Sequence, residues 1–71
     1  MFENVLLLKI KEILSRSHWM RFNLDYSRGM WSAAFTHEKG KIYGRATHTF
    51  PANAVNTAYQ EAELKTRHLL T

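Results

Sequence analysis

At 100° per residue, Phe2, Leu6, Leu7, Ile10, Ile13 and Leu14 fall within one arc of about 140°, and Lys9, Lys11, Glu12 and Arg16 lie outside it. This periodicity predicts an amphipathic helix from Phe2 to about Ser17. The period then changes to two. Met20, Phe22, Leu24 and Tyr26 alternate with Arg21, Asn23 and Asp25, the pattern of a half-buried strand. Ser27-Arg28-Gly29 supplies a short turn in which the glycine can take positive φ. A second strand follows from Met30 to His37, with Trp31, Ala33 and Phe35 on one face and Ser32, Ala34 and Thr36 on the other.

Glu38-Lys39-Gly40 turns the chain again. Lys41 to Phe50 reads as a third strand, with Ile42, Gly44, Ala46 and Phe50 opposite Tyr43, Arg45, Thr47 and Thr49. Pro51 suits the first turn of a helix, where its missing N–H is not needed. Ala54, Val55, Ala58, Tyr59, Ala62 and Leu69 then line one helical face. The expected fold is a single α+β domain over residues 1–71, α-β-β-β-α. It is a three-stranded antiparallel meander with both helices on one face, because a meander with one apolar face needs a cover. The inward set is Leu6, Ile10, Ile13, Leu14, Phe22, Leu24, Trp31, Phe35, Ile42, Ala46, Val55, Ala58, Ala62 and Leu69. The Ala54/Ala58/Ala62 row puts small side chains on one line, so that a helix backbone can approach its neighbour closely.

Composition narrows the picture. A chain of 71 residues with two Trp, three Tyr and four Phe can build one small core, and with no cysteine it has neither a disulfide nor a thiolate–zinc staple to reinforce it. Self-association or a partner is therefore expected to matter. Val5-Leu6-Leu7-Leu8 is the longest apolar run, far short of the roughly 20 residues that span a bilayer, and lysines follow it at once without a cleavage site. No membrane span and no signal peptide are expected, and the missing cysteines fit a reducing, cytoplasmic setting.

The element order in about 70 residues resembles the double-stranded-RNA-binding domain, most specifically from Gly40 onwards. Gly40-Lys41, Gly44 in the third strand, and Ala54, Ala58 and Ala62 fall in that family's register. The resemblance implies the α-β-β-β-α fold and phosphate contacts. The lysines that would make those contacts are replaced here by Pro51, Ala52 and Val55, and the first hairpin loop lacks the family's histidine. The segment from Tyr43-Gly-Arg-Ala-Thr to Ala62 also resembles small α/β sandwich proteins encoded by phages.

Little in the sequence points to catalysis. His18, His37, His48 and His68 show no metal-ligand spacing, no nucleophile elbow is present, and Glu61 and Glu63 point to different helix faces. Neither an enzyme nor a metal or other cofactor is expected. What remains is surface. Residues 16–45 hold the whole net charge of +4, with Arg16, Arg21, Arg28, Lys39, Lys41 and Arg45 against Asp25 and Glu38. The outward sheet face is expected to be a flat docking surface anchored by Arg21, Tyr43 and Arg45 and bracketed by Arg28, Lys39 and Lys41. Val5, Leu8 and Leu64 are the candidate contacts of a homodimer. The sequence thus points to a small non-catalytic binding module, a phage- or mobile-element-type factor that binds or inhibits a larger host protein or complex with an acidic surface. Its alternative is a nucleic-acid binder that contacts phosphates.

Overall fold

The structure, a computed structural model, describes residues 2–16, 20–37 and 39–67. Helix α1 (Phe2–Leu14) leads into strands β1 (Met20–Ser27), β2 (Met30–His37) and β3 (Ile42–His48), and helix α2 (Pro51–Thr66) follows. The strands form one antiparallel sheet in the order β1-β2-β3, so the α-β-β-β-α architecture read from the periodicity is the observed one. The side chain of Phe2, and His18, Glu38, His68 and Leu69, lie outside the described residues.

The first hairpin closes through only two residues. Arg28 and Gly29 both take positive φ, 54° and 78°, the geometry whose twist matches that of the flanking strands. Ser27 faces Met30, and the pairing runs without a break to Met20 opposite His37. The second hairpin is irregular. Phe35 pairs with Gly44 but Thr36 pairs with Ile42, which leaves Tyr43 as the extra residue of a β-bulge.

That bulge overturns two assignments made from strict alternation. Ile42, expected inward, is 44% exposed and lines the outer face with Arg45 and Thr47. Tyr43, expected outward, packs against the core with the Lys41 Nζ 5.3 Å from its ring centroid. One inserted residue changes the face of everything that precedes it in the strand.

Ile13, Met20, Ala33, Phe35, Ala54, Val55, Ala58 and Ala62 form the buried core, with the Phe22 and Phe35 rings 4.9 Å apart. Pro51 occupies the start of α2, and the Phe50 carbonyl accepts the first helical hydrogen bond from the Ala54 N–H at 3.2 Å. The alanine row does bring backbones together. A Cβ placed on Gly44 would collide with the Ala58 carbonyl oxygen and lie 2.8 Å from the Ala62 nitrogen. Thr66 is also fully buried, its hydroxyl donating to the Ala62 carbonyl at 2.7 Å, a position that apolar periodicity does not mark.

The two helices run parallel. Lys9 Nζ donates to Asn56 Oδ1 at 2.6 Å, Tyr59 donates its hydroxyl to Glu12 Oε1 at 2.9 Å, and Arg16 Nη1 reaches the Glu63 carbonyl at 3.4 Å. All three contacts join residues 47 apart. The flank of α1 that carries Lys9 and Glu12, continued by Arg16 just past its end, is therefore a polar seam against α2. Leu24, expected in the core, is 40% exposed, and Leu7, counted in the apolar arc of the first helix, is 53% exposed. Leu7 stands at one margin of the apolar arc, about 70° from its centre. Leu24 is on β1, over which the helices leave an opening.

Candidate functional site

Both helices lie on one side of the sheet, so the other side is uncovered. Its residues form cross-strand rows set by the register, Asp25–Ser32–Thr47, Asn23–Ala34–Arg45 and Arg21–Thr36–Ile42. The middle strand contributes the smallest side chains. With Ser32 and Ala34 as its floor and Asn23, Asp25, Arg45 and Thr47 around it, the face is a depression of about 350 Å³ rather than the flat surface expected. Met30 and Ile42 give it apolar ends. Across the floor the Ser32 and Thr47 hydroxyls are 2.9 Å apart and share a hydrogen bond.

The charges expected on this face divide. Arg21 and Arg45 are on it, on the two outer strands and so about 10 Å apart across the sheet. Arg28 is exposed at the tip of the first hairpin and Lys39 at the turn before β3, separated by a strand length of roughly 26 Å. Lys41 lies against Tyr43 and so belongs to the opposite side, as Tyr43 itself does. Arg16, counted as part of the same basic excess, is withdrawn from the surface altogether. Its side chain is 1% exposed, held by Glu12 at 3.1 Å, Glu63 at 3.7 Å and the Thr66 hydroxyl at 3.0 Å. The face that remains is mixed in sign, with Asp25 among its arginines.

Val5, Leu8 and Leu64 are 52%, 66% and 65% exposed. They do not form one patch. The offset of 47 sets Leu8 level with position 55 of α2, nine residues or about 14 Å before Leu64. The structure instead opens an apolar groove elsewhere, lined by Leu6, Leu7, Ile10, Leu24, Pro51 and Val55. The sequence signal for it was Leu7 at the edge of the helical arc.

His37 and His48 sit at opposite ends of β2 and β3. The His37 N–H bonds the Lys41 carbonyl at 2.7 Å, and His48 is opposite Trp31, six residues away along the ladder. Each imidazole serves a local turn, His37 Nδ1 accepting from the Lys39 N–H at 3.0 Å and His48 Nδ1 from the Phe50 N–H at 3.1 Å. Among the described residues no three His, Asp or Glu side chains converge as a metal site would require, and no helix is long and apolar enough to cross a membrane.

Glu61 closes the edge of the sheet at β3. Its Oε1 accepts the Arg45 N–H at 3.1 Å and its Oε2 the Lys65 ammonium at 3.0 Å. The Arg45 N–H foremost, and Lys65 beside it, hold the Glu61 carboxyl below the usual carboxylate range. Glu63 is lowered by the Arg67 guanidinium at 2.7 Å, with a further contribution from Arg16. The Tyr59 phenol is pushed up by burial and by its hydrogen bond to Glu12. No protein-family description, curated protein or solved structure matches this chain.

Proposed function

We propose that the protein is a non-catalytic binding module whose uncovered sheet face docks a larger protein. The observation that carries this reading is the depression on that face. It has a small-residue floor, hydroxyl and amide groups to accept and donate, and Arg21 and Arg45 beside it. Arginine is a frequent anchor at interfaces, and a concave polar floor gives shape selectivity without a reactive group. The partner surface is acidic or mixed, since Asp25 demands a donor of its own. Binding or inhibiting a host protein from the cytoplasm, as small phage- and mobile-element-type factors do, is the role proposed for it.

The test is affinity capture from host lysate, with nuclease treatment and a face variant. The expected result is a captured protein that survives nuclease and is lost with Ala34→Glu, which fills the floor, and with Arg21→Ala combined with Arg45→Ala. The rival reading is phosphate contact by Arg28, Lys39, Lys41, Arg21 and Arg45. Its motivation is that Arg28 stands exposed at the hairpin tip. Titration against duplex RNA, duplex DNA and single strands at two salt concentrations separates the readings. A steep fall of affinity with salt supports phosphate contact, whereas no binding near 50 mM salt removes it.

A further inference from the structure

The two edges of the sheet differ. Along β3 the N–H of Arg45 points away from β2 and is taken up by Glu61. Along β1 the closing pair Ser27–Met30 fixes the parity of the ladder. In a two-residue hairpin that pair exchanges both backbone bonds, so Asp25, Asn23 and Arg21 also bond to β2, and the N–H and C=O groups of Phe22, Leu24 and Tyr26 point outward. The outward N–H of Arg45, reached by the same parity through β2 and β3, agrees with this assignment. Among the described residues no backbone hydrogen bond reaches the outer side of β1. An eight-residue edge of this kind is a template for another strand.

What that strand is follows from the residues on β1. Paired antiparallel with itself about Asn23, β1 sets Phe22 opposite Leu24, two residues whose backbone groups both point outward and can exchange hydrogen bonds. The same register sets Arg21 opposite Asp25 twice over, once on each side of the two-fold axis, so the strand is complementary in charge to its own copy. Beside this edge lies the groove of about 400 Å³ lined by Leu6, Leu7, Ile10, Leu24, Pro51 and Val55. Its exposed members Leu7 and Leu24 are on the flank of the molecule that a neighbouring copy would cover.

We infer that a second copy of this chain pairs antiparallel along β1, with Arg21 opposite Asp25, joining two three-stranded sheets into one of six strands and closing the two apolar grooves against each other. The docked face described above would then be doubled in width, although the pairing stands independently of what that face binds.

Sedimentation equilibrium or light scattering across a concentration series tests the pairing. The expected species is twice the 8.3 kDa chain mass. Arg21→Asp alone and Asp25→Arg alone each bring like charges together twice and should weaken association about tenfold. Mixing the two variants restores opposite charge at both positions and should restore the dimer. Far-UV circular dichroism of each variant establishes that it is folded. On the unaltered chain, amide hydrogen exchange provides the second readout, with protection of the Phe22 and Leu24 N–H groups rising about tenfold as protein concentration is raised. A monomer at every concentration, a mixture that associates no better than its components, or edge amides whose protection ignores concentration would each overturn the inference.

Discussion

Arg28 is the only residue other than glycine with positive φ among the described residues. A side chain with a Cβ in that region costs about 1 kcal/mol, and asparagine tolerates it better. Arg28→Asn should therefore raise the denaturation midpoint, by up to about 1 kcal/mol of stability in urea titration. At Gly44 the expectation has the opposite sign. Gly44→Ala drives a methyl group into the α2 backbone at Ala58 and Ala62, atoms that cannot rotate away. A loss of about 3 kcal/mol, at the upper end for overpacking, is expected in the same measurement. The alanine row made a close helix approach legible in the sequence, but which residue lay beneath it was not. The bulge at Tyr43 was hidden for a related reason, since an alternating run looks the same whether or not one residue is left unpaired. Only the pairing partners Thr36 and Phe35 reveal it.

Between elements, the seam joining α1 to α2 is polar and lies on a flank that apolar periodicity left to solvent. Arg16 fell outside the hydrophobic arc and so read as a surface cation, yet the second helix packs on that flank and buries it. Thr66 escaped notice because its hydroxyl is satisfied within its own helix turn. Arg16→Ala should lose on the order of 2–3 kcal/mol, through its alkyl chain as much as its charge, and Arg16→Met about half of that. Thermal unfolding of the two variants distinguishes packing from ion pairing. The carboxylates on α2 add a pH dependence. Glu61 and Glu63 titrate below 4.5 when folded, so the unfolded chain takes up protons first on acidification. Their contribution is complete above pH 4.5 and is lost as pH falls below it. Stability measured from pH 7 to pH 3 should decline in that window, and Glu61→Gln should flatten the decline.

For the whole molecule, helices on one side and an open sheet on the other were readable from alternation and helical arcs together, because each apolar face needs a partner. The distribution of charge was readable only by element. Residues 16–45 do hold the basic excess, but Arg16 is inside, Lys41 is on the helix side, and Arg28 and Lys39 stand at opposite ends. Sequence position gives no account of which side of a sheet a lysine reaches once a bulge intervenes. That this face keeps, among the described residues, two arginines with an aspartate beside them is why a protein partner is proposed ahead of a phosphate track.

The constant separation of 47 residues across the helix seam bears on the order in which the chain folds. The two hairpins close over short loops, and β3 and α2 adjoin in sequence, so the meander and its second helix can assemble from local contacts. By contrast, α1 meets only β1 nearby in the chain, and its hydrogen-bonded seam is with α2, 47 residues away, so that closing this long loop is entropically expensive. The seam between α1 and α2 is thus expected to be the last contact secured. Substitutions such as Ile13→Val should leave the folding rate nearly unchanged and accelerate unfolding, whereas core changes in β2 should slow folding, a contrast that stopped-flow kinetics reads directly.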